Sequence, residues 1–368
     1  GELPNNNIDD DKNGYIDDVF GWDFTNKANG TYCYRDCLTE DNDPMDEFGH
    51  GTHCAGISAA VGNNSKGIIG TCPNCKIMPL RDGSLQVSSL TKAIYYATDN
   101  GAKIISMSFG GYFYSQTMVD SLNYASSKGV ILVASAGNNN FSFLPFPADQ
   151  SNVISVGATD ENDKKAFFSN YGTDIDVSAP GVNIYSTYKS SVSGNPVYYA
   201  KFSGTSMAAP YVSGLAGLLL SQNKNLTPEQ IRFIIKNKTD PVDSFGLKFG
   251  SGRVNVYKSL NYNNSNIKTG LLNITSYPNF ADIYLKEGAS WIYKNKTPSI
   301  LNLTQGKKYI NVTKSGYKDS VSLIDIFENS LINLSIILNK SLLESKIINY
   351  QNSSVYGNLK LIIQKKRK

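Results

Sequence analysis

Between residues 50 and 262, short β-branched runs alternate with segments of helical periodicity, and no other feature constrains the fold as much. The pattern predicts strands at Lys76–Leu80, Ile104–Ser108, Val130–Ala134, Val153–Val156 and Ile175–Val177. It predicts helices at His50–Val61, Leu90–Asn100, Gln116–Lys128, Ser206–Asn223 and Thr227–Asn237. Such alternation builds an α/β fold with a mostly parallel sheet and helices on both faces. In sheets of that kind, sites form at the carboxyl ends of strands.

The flanks differ. Residues 1–49 are rich in Asp, Asn and Gly, with one strand expected at Val19–Phe24. After Leu260 comes the polar run 261–266, which overlaps a linker set at residues 263–269. Strands without long helices follow, at Leu271–Ser276, Ala281–Leu285, Lys308–Lys314, Val321–Phe327 and Leu331–Leu338, so residues 270–340 read as a small all-β module. Residues 341–368 receive no assignment. A chain of 368 residues, 40% hydrophobic, has room for one large and one small domain. Its formal charge of +4 gives no argument for a nucleic-acid partner. No apolar run nears the roughly 20 residues needed to span a bilayer.

The chemistry is concentrated in three motifs. Both histidines, His50 and His53, lie in Gly49–Gly56, so any histidine-dependent catalysis rests on one of them. Metal hydrolysis lacks a third histidine and the HExxH arrangement. Ser206 opens an apolar helix, where a serine is ordinarily a plain cap. Here Gly204, Ala208 and Ala209 crowd it, leave room for a substrate backbone, and set it at the positive end of a helix dipole. A serine hydroxyl needs a base and oxyanion donors to act as a nucleophile. Asn138, in Ser135-Ala136-Gly137-Asn138 at the end of a strand, is turn chemistry or such a donor. Ser108-Phe109-Gly110 ends a second strand the same way.

Gly49–Gly56, Ser135–Asn138 and Gly204–Pro210, in this order, resemble the subtilisin-like serine proteases, and look most similar to the thermitase-like branch. The resemblance runs from about Val19 to Leu260 and implies a three-layer subtilisin-like fold for residues 1–262. By match it implies His50 as general base, Ser206 as nucleophile and Asn138 as oxyanion donor beside the Ser206 N–H. It also implies a P1 pocket lined by Ser108, Phe109, Gly110, Ser135, Ala136 and Gly137, with Ser84-Leu85-Gln86 pairing to substrate as an added strand. An esterase of the α/β-hydrolase type is rejected, because His50 precedes Ser206 and the elbow ends in Ala208. The family's Asp-Ser/Thr-Gly strand is missing from residues 1–49, so Gly1 reads as a cut after the first strand. As written, the chain is expected to have little activity, and the rival reading is a catalytically dead binding protein of the same fold on the cell surface.

Calcium is the expected cofactor. Asp9-x-Asp11-x-Asn13-Gly14 with Asp17 matches the first half of an EF-hand-like loop. Family calcium positions match Asp23, Asp41 and Asp43 in one group and Asn64 in the loop 61–68. The close pairs Cys33/Cys37 and Cys72/Cys75 read as disulfides, as a four-thiolate zinc site or as free thiols. The module resembles a PEGA domain, which implies a cell-envelope partner. Sequons at Asn273, Asn295, Asn302, Asn311 and Asn333 fit either a glycosylated exterior or chance in an Asn-rich chain. Together these suggest a secreted or cell-surface protein that acts on proteins or peptides.

Overall fold

The computed structural model describes residues 2–4, 6–25, 39–83, 85–192, 195–262, 269–287, 290–326, 330–340, 345–347 and 362–364. Cys33, Cys37 and most of the Asn26–Glu40 insertion lie outside these. The chain divides into two compact units, Gly1–Lys268 with Glu287–Lys294, and Thr269–Lys286 with Asn295–Lys368.

The first unit opens with β1 (Trp22–Asp23), α1 (His50–Ala59), β2 (Leu80–Arg81), α2 (Val87–Asp99), β3 (Ile104–Met107) and α3 (Gln116–Ser127). It continues through β4 (Ile131–Ser135), β5 (Val153–Thr159), β6 (Val177–Pro180), β7 (Ile184–Val192), β8 (Asn195–Phe202) and α4 (Thr205–Gln222). It closes with α5 (Pro228–Asn237), β9 (Thr239–Asp240), β10 (Arg253–Val254) and α6 (Val256–Leu260). The main sheet has the order β3-β4-β5-β6-β10-β9, parallel except for the β9–β10 pair.

Alternation within β4 explains the layers. Ile131 and Val133 join a core with Val212, Leu215 and Leu219 of α4 and Ile231 and Ile234 of α5. Leu132 and Ala134 face the opposite core, with Leu90 and Ile94 of α2 and Met118 and Leu122 of α3. A strand covered on both faces must be apolar throughout, which is how β4 reads. The result is the three-layer α/β architecture expected. α5 starts on a capping box in which Thr227 Oγ1 accepts from the Gln230 N–H while the Gln230 side chain accepts from the Thr227 N–H.

One expectation is corrected, and one element is new. Lys76–Leu80 is not a strand: only Leu80–Arg81 pairs, parallel to Trp22–Asp23, because the Cys72–Cys75 disulfide turns the chain here and Pro79 has no N–H. The β7–β8 hairpin, which carries aromatic and polar residues on both faces, was not predicted at all.

β11 (Thr269–Tyr277), β12 (Asp282–Glu287), β13 (Ser290–Lys296), β14 (Ser299–Thr304), β15 (Gly306–Thr313), β16 (Ser320–Ile326) and β17 (Leu331–Ile337) follow, all in the second unit except Glu287 and the Ser290–Lys294 part of β13, which group with the first. β11 pairs with β14 antiparallel and with β17 parallel, while β12, β15 and β16 form an antiparallel set. Leu272, Ile283, Ile310, Val312 and Ile326 share its core. Asn311 is buried, so its sequon is closed to modification in the folded state. No helix among the described residues is long and apolar enough to cross a membrane.

Candidate active site

Cys54 and Ser58, one turn apart on α1, donate to the carbonyls of Ser206 and Pro210, one turn apart on α4 (3.3 and 3.0 Å). The sequence separation is 152 in both bonds, so the helices run parallel and in register. His50, a turn before Cys54, therefore stands at the same end of the pair as Ser206. That end is also where the first N–H groups of both helices have no partner within the helix. The Ser206 hydroxyl donates to the Ser108 carbonyl (3.2 Å).

Asn138 is fixed by Thr205. Its Oδ1 accepts from the Thr205 N–H (2.8 Å) and hydroxyl (2.9 Å), and the Thr205 hydroxyl in turn accepts from the Gly137 N–H (3.0 Å). With the oxygen spent, the Nδ2 hydrogens are the free end of the amide. A methyl group placed on Gly204 would stand 3.4 Å from Asn138 Nδ2 and 3.6 Å from the Ser206 backbone N. The bare α-carbon thus keeps open a space flanked by two donors, a geometry able to hold an oxygen anion. Thr205, fully buried, was missed as a contributor.

The structure separates the two histidines. His53 is fully buried, and its Nε2 donates to the carbonyls of Ile184 and Ala200 (3.1 Å each). Its ring stacks on Phe202, so it clamps the β7–β8 hairpin and is unavailable to a substrate. His50 is half-buried. Burial pushes its pKa down, with Asp46 opposing and His53 adding to the fall. A neutral imidazole can accept a proton. Asp46 accepts from the N–H groups of Phe48, Gly49 and Thr52 and from the Thr52 hydroxyl. Burial alone would raise its pKa, but these donors outweigh it and favour the carboxylate beside the first turn of α1. Among the described residues, no carboxylate accepts from His50. Gly49 has φ of 87°, and any side chain on it would strike the Tyr188 ring.

Ser108–Gly110 and Ser135–Gly137, the two segments expected to line the substrate slot, both run against Pro145. A Cβ on Gly110 would meet Pro145 and the Phe146 carbonyl, and one on Gly137 would meet Asn170 Nδ2 and Pro145, so both segments need glycine to pack on Pro145. Ser108 Oγ donates to the Ser206 carbonyl (2.9 Å), tying the first segment to α4. Ser84 lies outside the described residues, and Leu85 has φ of 51°, so this stretch is not extended as expected.

The acidic residues gather differently from the sequence expectation. Glu2, Asp9 and Asp11 each bring an oxygen within 4.8 Å of the others. Asn13 instead bonds Asp18 and Asn100, while Asp17 accepts from the Asn6 and Asn7 N–H groups. Asp23 is buried in an ion pair with Arg81 and accepts from the Thr25 N–H, so it is spent. Asp41, Asp43 and Asn64 each accept from a backbone N–H two residues on. Cys72 and Cys75 form a disulfide, which removes them from a zinc site. Burial lifts the Cys54 pKa to about 11, so its thiol is a donor and not a nucleophile.

This constellation was compared with known proteins. The sequence profile of the subtilase family matches residues 12–322. The chain belongs to the subtilase family of serine endopeptidases. It is 44% identical to thermitase of Thermoactinomyces vulgaris over 248 residues, covering 66% of this chain and 81% of that one. It is 46% identical to a thermophilic serine proteinase of a Bacillus species over 231 residues, and spans 56% of that protein's length. A protease structure from Pseudoalteromonas arctica superposes with a TM-score of 0.60 at 31% identity, over 65% of this chain and 82% of that one. The subtilisin-like fold is thereby established for this subtilase.

Proposed function

We propose that this subtilase cleaves peptide bonds with Ser206 as nucleophile, His50 as general base, and Asn138 Nδ2 with the Ser206 N–H as oxyanion donors. The asparagine role is the one known for subtilisin and is carried over by match. The observation that carries the reading is the Thr205 clamp on Asn138, which leaves Nδ2 and the Ser206 N–H flanking one space. Ser206 Oγ attacks the carbonyl carbon as its proton passes to His50. The carbonyl π pair moves onto oxygen and lies between the two donors. The C–N bond then breaks, the nitrogen leaves with the proton from His50, and an acyl-serine remains. Water repeats the sequence and frees the acid. In the family an aspartate sets the imidazole, and without one the rate falls by orders of magnitude.

The substrate side chain before the cleaved bond would enter the slot lined by Ser108–Gly110 and Ser135–Gly137, the segments that run against Pro145. Calcium fits the Glu2, Asp9 and Asp11 oxygens, which are hard donors close enough to share one ion. Export, a PEGA-like role for the β module and a cell-envelope partner are parts of the same reading.

A fluorophosphonate probe with peptide mapping tests it. Label on Ser206, absent from Ser206→Ala and His50→Ala, is expected. Label that fell elsewhere, or that ignored His50→Ala, would overturn the assignment.

A further inference from the structure

Beside the slot, large aromatic side chains lie on the surface where they are not needed for the core. Tyr112, Phe141 and Phe143 are 51%, 41% and 54% exposed. Their rings touch one another: Tyr112 to Phe141 at 5.7 Å, Tyr112 to Phe143 at 5.3 Å, and Phe141 stacked on Phe143 at 5.1 Å. Single exposed apolar residues are ordinary, but contiguous aromatic patches mark binding surfaces.

The patch is held rigid from beneath. Asn170 is fully buried. Its Nδ2 donates to the Tyr112 hydroxyl (3.0 Å), and its Oδ1 accepts from the Asn139 and Phe141 N–H groups (3.0 and 2.9 Å). The Tyr112 hydroxyl also donates to Asn139 Oδ1 (3.1 Å), joining the loop that follows Gly110 to the loop that follows Gly137. One buried amide thus sets the ring and the loop that carries the stack. Rings ordered in advance lose little freedom on binding.

We propose that Tyr112, Phe141 and Phe143 form an accessory substrate surface that takes apolar side chains of an unfolded protein chain outside the cleavage slot. This rests on the protease reading above. The occupant follows from continuity: Tyr112 comes directly after Gly111 and Asn139 directly after Asn138, so a chain seated in the slot lies against the rings. Folded proteins bury such side chains, whereas unfolded ones present them. Short peptides that fill only the slot would not reach the patch.

The test uses the full chain and two probes. Reduced, carboxymethylated lactalbumin, labelled for fluorescence anisotropy, reads the surface in a Ser206→Ala background. A fluorescent tetrapeptide boronic acid, which bonds Ser206, reads the slot alone. Phe141→Ser with Phe143→Ser is expected to weaken lactalbumin binding about tenfold or more and to leave boronate binding unchanged. The Leu/Leu variant at the same positions should retain most of the affinity and guards against a folding defect. Equal lactalbumin affinity with intact boronate binding would overturn the proposal. A parent chain that fails to bind the boronate would overturn the active-site reading instead. If light scattering found a dimer that the Ser/Ser variant dissociates, the patch would be a self-association face and the proposal would fall.

Discussion

Pro210 has no N–H to give the carbonyl of Ser206, four residues earlier on α4. That carbonyl is instead taken by Ser108 Oγ at 2.9 Å and Cys54 Sγ at 3.3 Å. One missing helix bond therefore joins three segments: the helix of Ser206, the slot wall at Ser108 and the helix of His50. Removing Ser108 Oγ leaves only the weak thiol donor. Ser108→Ala should cost about 1–2 kcal/mol in urea unfolding. Adding Cys54→Ala should cost more than the sum of the single changes, because only then is the carbonyl without a donor. Strict additivity would show that the two donors do not share the load.

A second prediction concerns acid. His53 sits buried with its pKa pushed down by burial, against the opposing pull of the Ala200 and Ile184 carbonyls, and burial lowers that of His50 as well. Both ordinarily titrate near 6.5. As the pH falls below that value, the unfolded chain binds protons that the folded chain refuses. Stability is therefore full above 6.5 and is lost on the way down to the depressed values. The urea midpoint should drop between about pH 8 and about pH 5. His53→Gln, which keeps an N–H for the hairpin carbonyls, should flatten that drop while lowering stability at the upper pH. An unchanged slope would remove His53 from the account.

Much of this was legible because it is local. β4 needs apolar residues on both faces, and Ile131-Leu132-Val133-Ala134 announces that. His50 and Ser206 are singled out as candidates by the residues adjacent to them. Contacts across the fold were not legible. Asp23 reads as a cation ligand until Arg81, 58 residues away, is seen to occupy it. Asn138 is named as an oxyanion donor by resemblance, and that Thr205, 67 residues on, takes its oxygen is not legible in the sequence. The β7–β8 hairpin escaped notice because neither face of Tyr185–Lys189 is consistently apolar, so no period marks it. The aromatic patch escaped because Asn170, which organises it, looks like an ordinary turn residue.

Asp176 should be among the most sensitive positions for stability. Burial would raise its pKa, but Arg232 and Lys236 outweigh that and hold it below the carboxylate range. Its Oδ2 accepts from the Ser155 N–H while its own N–H donates to Ser155 Oγ, which pins it to β5. Asp176→Asn keeps the volume and leaves Arg232 without its counter-charge. A loss of about 3–5 kcal/mol is expected in denaturant unfolding. A loss below about 1 kcal/mol would show that solvent replaces the ion pair.

Chelation tests the acidic cluster. If Glu2, Asp9 and Asp11 share a calcium ion, EDTA should lower the melting temperature. Saturation a hundredfold above Kd contributes about 2.7 kcal/mol. Glu2→Gln with Asp9→Asn should abolish the response to EDTA, whereas Asp23→Asn should destabilise the chain and leave the response intact. A response that survives the Glu2/Asp9 change would move the ion elsewhere.

Gly204 gives the sharpest test of the oxyanion geometry, because nothing else recommends glycine there. Its φ of 162° is extended backbone that any residue adopts. The nearest atoms a methyl group would meet are Asn138 Nδ2 at 3.4 Å, Ser206 N at 3.6 Å and Asn138 Oδ1 at 3.8 Å, contacts loose enough to leave the fold alone. It would, however, occupy the space between the two donors. Gly204→Ala should keep the melting temperature within a degree or so and slow acylation of Ser206 by about tenfold or more. Thr205→Val should act through the other side of the same clamp, since Asn138 Oδ1 would lose the hydroxyl and the amide could turn. Measured as fluorophosphonate labelling rates, two slow variants with an unchanged fold would establish the space beside Gly204 as the seat of the developing charge. A Gly204→Ala chain labelled at the parental rate would show that the anion forms somewhere else.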